Sequence, residues 1–263
     1  MVVVGDINPP AISPANLDFF RTDVTSWDDL SGLFKKAKGL HGSIDHVFAN
    51  AGISGRANYL ESVEDEDGEL EEPSHLTFDV NLRGMINTCY LAFHYLRNKD
   101  PPGGTVVCTA SASSFQHFRV ADYTTAKHGV LGFMRGMVPN IVDAKLPIRI
   151  NCISPSWTRT GLVPDELIKA TGMPIQEPED VARVVALLMA DDDRQGQLIY
   201  SVKAKHYEVE HSILLPAAKE IIGDEDWGSE DAIIREVFKH RGRLEIPPDN
   251  STGNPIQADV ENP

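Results

Sequence analysis

Short runs rich in β-branched residues alternate along the chain with longer stretches whose apolar positions recur every three to four residues. "VVVGD", "LDFFRTDV", "DHVFANAG", "GTVVCTAS", "IRINCISP" and "GQLIYSV" read as strands. Helical periodicity fills the gaps. After Asp23, "TSWDDLSGLFKKAKGLHG" offers Thr25 or Ser26 as a cap and spaces Leu30, Leu33 and Phe34 along one face. A second helix is predicted over Leu76 to Lys99, with Val80, Ile86, Cys89, Phe93 and Leu96 on its apolar side. A third runs from near Asp122 past Val138, and a fourth opens at "EPEDVARVVALLM", where Pro178 suits a first helical turn. Strands alternating with helices of this length predict an α/β fold, a doubly wound parallel sheet covered on both faces and forming one domain over residues 1–212.

Beyond about His211 the pattern changes. "SEDAIIREVFKHRG" places Ser229 to cap, Ile233, Ile234, Val237 and Phe238 on one face, and Gly242 to terminate, so residues 213–242 are expected to be a helical extension. Residues 243–263 are rich in proline and polar side chains and read as a disordered tail.

Charge narrows the partners. With 24 basic residues against 39 acidic and a formal charge of −15, the chain would repel nucleic acid and anionic membrane surfaces alike. Much of that charge sits in "ESVEDEDGELEEP", which reads as a solvated loop. Cys89, Cys108 and Cys152 lie in apolar stretches and fit buried thiols in a reducing compartment, and the histidines show no metal-ligand spacing, so no metal site is expected. No apolar run reaches the roughly 18 residues of a membrane helix, and the expected location is the cytoplasm.

Candidate chemistry enters at "DYTTAKHGV", where Tyr123 and Lys127 stand four residues apart in a predicted helix and share a face. Upstream, "CTASASSF" is a strand ending in small hydroxyl residues, with Ser111 where strand gives way to loop. In an open parallel sheet the crevice lies beyond the carboxyl ends of the strands, so these three residues can converge there. A free tyrosine with a pKa near 10 is a poor base at neutral pH, and a nearby ammonium is expected to lower it. "FANAGISG" ends a strand in Asn50, Ala51 and Gly52, small enough for a flat ligand to approach the backbone. "SPSWTRTGL" offers Thr158 and Thr160 to a polar ligand group. Phe115, Phe118 and Trp157 hint at an apolar small-molecule substrate. Asp6, at the end of the first strand, would accept hydrogen bonds from a ribose 2′-hydroxyl and repel a 2′-phosphate, favouring NAD(H) with NADP(H) as the alternative.

Taken in order, "TDV" at Asp23, "ANAG", "VNLRG" around Asn81, Ser111, "YTTAK" and "SPSWTRT" resemble the motifs of the short-chain dehydrogenase/reductase family over roughly Val2 to Glu210. The resemblance implies a Rossmann-like fold and an oxidoreductase interconverting a secondary alcohol and a ketone with a nicotinamide cofactor. It implies Tyr123 as general acid/base, Lys127 as modulator of its pKa and ribose ligand, Ser111 as ligand of the substrate oxygen, and Asn81 as support for a proton-relay water. It further implies cofactor contacts from Asp23 with Val24 at the adenine, Asn50 to Gly52 near the adenosine ribose, Arg83 beside Asn81, and Thr158 and Thr160 at the carboxamide. A homo-oligomer through the two long helices is implied as well. The segment from Glu177 to Val202 looks most like the branch that includes 15-hydroxyprostaglandin dehydrogenase.

This sequence departs from the family pattern at Ala49, at Ser156 and in a Ser111 to Tyr123 spacing one residue short, which leaves Ser113 as a substitute for Ser111. A larger departure is that the family's first strand, glycine-rich turn and first helix have no counterpart. The expectation is an intact catalytic set with a weakened cofactor seat, explained by a start upstream of Met1. Direct pairing of "VVVGD" with "DHVFAN" is the expected compensation. The alternative function is a catalytically silent remnant acting as an interaction or regulatory protein.

Overall fold

The structure, a computed structural model, describes residues 1–241 apart from Ser13 and Pro164. Gly242 as a helix terminator and the tail expected over 243–263 lie outside the described residues. The chain divides into two compact units, Met1–Ile213 and Leu214 onward. The second contains helices α7 (Leu215–Ile222), which the sequence pattern did not reveal, and α8 (Ser229–Arg241).

The first unit opens with β1 (Val2–Asp6) and β2 (Leu17–Arg21), then α1 (Trp27–His41) and β3 (His46–Ala49). After a long loop come α2 (Leu76–Phe78), a π-helical turn (Asp79–Gly84) and α3 (Met85–Arg97), so the single helix expected over Leu76 to Lys99 carries a π turn within it. β4 (Gly104–Thr109), α4 (Ala121–Asp143), β5 (Ile148–Pro155), α5 (Asp165–Thr171), α6 (Pro178–Ala190), β6 (Leu198–Val202) and β7 (Lys205–Glu208) complete it.

Five strands form one sheet in the order β3-β4-β5-β6-β7, parallel except for the antiparallel β6–β7 pair. Successive residues of β4 serve opposite faces. Val107 joins Ile153, Ile199 and the α6 residues Val184, Val185 and Leu188 in one apolar cluster, while Cys108 turns toward α3, its Sγ 3.5 Å from that of Cys89. The sheet is thus covered on both sides, as the alternation of elements predicted. All three cysteines are buried free thiols.

One expectation is overturned. β1 pairs only with β2, in a separate two-stranded parallel sheet, and the compensating ladder between "VVVGD" and "DHVFAN" is absent. The reason lies in the helix layer. α1 buries Leu30 and Phe34 and stacks Phe34 on Tyr95 of α3 at 5.5 Å, so bringing β1 onto β3 would pull α1 from that seat. The cost shows in exposure: Val2 is 50% and Phe48 36% exposed, whereas Val106, Val107, Ile150 and Ile153 are fully buried.

Local chemistry explains where the elements stop. Ser26 caps α1 by accepting from Asp29 N, Asp28 and Asp29 favour its positive end, and Gly42 closes it at φ 79°. Gly104 adopts φ 145° and has Asp45 O where a Cβ would stand, so only glycine lets β4 start beside β3. The acidic loop over 61–73 is exposed throughout, with Asp65 accepting from the amides of Asp67 and Glu69. Among the described residues no helix is long and apolar enough to cross a membrane.

Candidate active site

The carboxyl end of β4 is the origin of the site. Lys127 of α4 reaches back to it and donates from Nζ to Thr109 O at 2.7 Å, while Thr109 donates its hydroxyl to Asn50 Oδ1 at 2.8 Å. From the other side of the same turn, Ser114 donates to Lys127 O at 2.8 Å and accepts from Ser111 N. Ser111 caps the short 3₁₀ turn Ala112–Ser114, in extended conformation, and its Oγ accepts from Ser113 N.

Tyr123 stands in the first turn of α4, with Lys127 Nζ 5.7 Å from its ring centre. Burial raises the phenol pKa above its usual value, and a hydrogen bond with the Ser111 hydroxyl works against that rise. The expected lowering of this pKa by Lys127 is therefore absent in the protein alone. The cause is visible at the lysine: 3% exposed, it has its own pKa pushed down to about 8 by burial, with the Cys152 and Cys108 thiols opposing the shift. Ser111, not Ser113, is the serine beside the phenol; Ser113 is fully buried and its Oγ has no hydrogen-bond partner.

Asn81 is placed by the π turn and is 1% exposed. Its carboxamide accepts from Ile53 N at 2.8 Å and donates to Ile53 O at 2.9 Å, gripping one backbone residue from both sides. Gly52 lies against this grip. A Cβ there would sit 3.4 Å from Asn81 Oδ1 and 3.6 Å from Lys127 Nζ, so the backbone of Asn50 to Gly52 is open on one side and buttressed on the other. Val24 packs against Gly84 at the end of the π turn, where a Cβ would be 2.8 Å from it.

The remaining expected residues are spread more widely. Asp23 accepts from the amide and hydroxyl of Thr25, which lower its pKa, and so is engaged in the start of α1. Asp6 ends β1, exposed, and accepts from Asn8 N. Arg83 pairs with Asp79 at 3.0 Å on the exposed side of its helix rather than joining Asn81. Thr158 bonds Gln176 Nε2 at 3.1 Å, whereas Thr160 is exposed and turns back on its own loop.

Two buried residues escaped the sequence reading. Gln176, from a stretch without readable periodicity, ties Thr158 to Ser201 O. Asp122, directly before Tyr123, is fully buried and accepts from the amides of Arg56, Ala57 and Tyr123.

A buried lysine beside a tyrosine and a serine, at the strand ends of a Rossmann-like α/β sheet, marks the class of fold. Known proteins agree. The short chain dehydrogenase family model matches residues 10–169. The short-chain dehydrogenase/reductase ascJ of Acremonium egyptiacum is 44% identical over 246 residues, covering 92% of this chain and 83% of that protein. Cyclohexanol dehydrogenase of an Acinetobacter species is 30% identical over 177 residues, covering 63% of this chain and 64% of the relative. A solved short-chain type dehydrogenase/reductase from Mycobacterium marinum superposes with a TM-score of 0.60 at 25% identity, over 71% of this chain and 74% of that one. The chain belongs to the short-chain dehydrogenase/reductase family, whose members are oxidoreductases that generally use NAD(P)(H).

The residues present fit one half of such a cofactor. Gly52 lies at ordinary contact distance from Asn81 and Lys127, and Lys127 Nζ and the Asn50 carboxamide have the donor and acceptor chemistry that suits ribose hydroxyls. For the pyrophosphate, no glycine-rich turn leads into a helix among the described residues.

Proposed function

We propose that this protein interconverts a secondary alcohol and a ketone by hydride transfer with a nicotinamide cofactor, NAD(H) in preference to NADP(H). The observation that carries the reading is the meeting of Ser111, Tyr123 and Lys127 at the end of β4, with the ammonium over the phenol ring. The nicotinamide, when bound, supplies the hydride acceptor or donor.

The chain's own residues handle the proton. Ser111 Oγ donates to the substrate oxygen and orients it, while Tyr123 Oη takes the hydroxyl proton in oxidation and returns it to the carbonyl oxygen in reduction. Lys127, protonated below about pH 8, places a positive charge beside the developing phenolate. Asn81 holds Ile53 and, through it, the Asn50 to Gly52 backbone against the ribose; a water relaying the proton is its further role. When the cofactor is bound, Thr158 and Thr160 would hold its carboxamide, Asp6 its adenosine ribose, and Asp23 with Val24 its adenine.

Phe118 lies 6.2 Å from Tyr123 and 6.1 Å from Trp157, ring centre to ring centre, and both Phe118 and Trp157 are more than a third exposed. Such a wall suits an apolar ring, and the relative named cyclohexanol dehydrogenase supports a cyclic alcohol as substrate class. We place the protein in the cytoplasm as a homo-oligomer assembled through α3 and α4, where Tyr90 is 66% exposed. The likeness of residues 177–202 to the 15-hydroxyprostaglandin dehydrogenase branch supports a hydroxylated apolar substrate in general terms only.

A second reading, a catalytically silent interaction protein, is favoured by the separate β1–β2 sheet, which detaches Asp6 from the ladder carrying Tyr123's neighbours. Fluorescence titration of the purified chain with NADH and NADPH decides between them. Micromolar binding with NADH the tighter ligand supports the oxidoreductase; no binding of either at millimolar concentration supports the silent protein.

A further inference from the structure

We infer that Asp122 is a positioning residue for the reaction: its carboxylate ties the segment 53–57, which follows the cofactor-facing turn, to the first turn of α4 and so fixes where the Tyr123 phenol stands. This rests on the oxidoreductase reading.

Asp at the second position of a helix is usually an exposed favourable charge near the positive end. Asp122 differs on two independent counts. It is fully buried, and its oxygens serve a distant strand of chain: Oδ2 accepts from Arg56 N at 2.8 Å and Ala57 N at 3.2 Å, while Oδ1 accepts from Tyr123 N at 2.7 Å. The buried Thr77 hydroxyl is a further donor. Burial alone would raise the carboxyl pKa, yet the four donors outweigh it and hold the group below its ordinary value. A separate observation is Gly55, where a Cβ would come within 2.1 Å of Val120 Cγ1 and 2.5 Å of Asp122 Oδ1, so the segment approaches α4 as closely as a backbone can.

The clamp has two jaws. Asn81 grips Ile53 and Asp122 grips Arg56 and Ala57, leaving the segment between them little freedom. Since Asp122 also binds the amide of Tyr123, any slip between the segment and α4 is a slip between the cofactor's seat and the phenol. A misplacement of about 1 Å is enough to cost on the order of a hundredfold in rate.

Asp122→Asn tests this with almost no change in shape, because an amide nitrogen then faces backbone donors and cannot accept from them. The expected result is a kcat lower by roughly tenfold or more, with KM for NADH changed by less than about threefold. Two readouts need no turnover: faster amide exchange in the peptide 53–58 with β4 and β5 unchanged, and a shifted Tyr123 ring resonance in tyrosine-labelled protein, assigned by its loss in Tyr123→Phe. Gly55→Ala should reproduce all of these, and Thr77→Val, which removes one donor only, should show them in weaker form should Asp122→Asn fail to fold. If the unaltered protein turns over no cyclic alcohol, the oxidoreductase reading fails while exchange and resonance still decide the clamp. Unchanged exchange and an unshifted Tyr123 resonance in a folded variant overturn the inference, as does an unchanged kcat in an active one.

Discussion

Lys127 shows how much a single burial can decide. An ammonium taken from water at 3% exposure is held by Thr109 O and little else of opposite charge, and its pKa falls from 10.5 to about 8. The folded protein therefore releases this proton earlier than the unfolded chain does. Below about pH 8 both states carry it and the fold bears the full burden; between about pH 8 and 10 only the unfolded chain carries it, so stability rises with pH. A shift of this size corresponds to about 3 kcal/mol. Lys127→Met is accordingly expected to be more stable than the unaltered protein near neutrality, with the gap closing as pH rises, measured by urea denaturation at successive pH values. A gap independent of pH would contradict the burial account.

At the scale of elements, the division of the strands into two sheets is the feature with most consequence. β4 and β5 are paired on both edges and their inward residues are fully buried, while β1 and β3 each keep one edge unpaired and leave Val2 and Phe48 exposed. Native-state hydrogen exchange should rank them accordingly: β1 and β2 amides exchanging at least roughly a hundredfold faster than those of β4 and β5. Equal protection would show that the two sheets unfold as one. The layered α/β fold was legible because β-branched runs and capped amphipathic stretches announce themselves locally, as at Val106 to Cys108 and at Ser26 with Leu30 and Phe34. The separate β1–β2 pair was not legible, because which edges meet depends on α1 docking against Tyr95, a contact between residues far apart in sequence. β7 and α5 escaped because they are short and bury no apolar face whose period could be read. At the site, the i,i+4 pair of Tyr123 and Lys127 could be read directly, whereas Asp122 and Gln176 act through backbone partners some 65 and 25 residues away, which no local pattern reveals.

For the whole molecule, our proposal comes down to one claim: that Tyr123 moves the proton while a hydride passes between substrate and nicotinamide. Its acidic surface, the aromatic wall of Phe118 and Trp157, and the buried cation at Lys127 all fit a small apolar alcohol better than a charged macromolecule. The most direct measurement is the rate of NAD reduction with cyclohexanol, followed by absorbance, for the unaltered protein and for Tyr123→Phe, a change that removes one hydroxyl from a partly buried ring. The account predicts steady turnover in the first and a kcat lower by on the order of a hundredfold or more in the second, with cofactor binding retained. Equal rates in the two proteins, or none in either while NADH is bound, would contradict it.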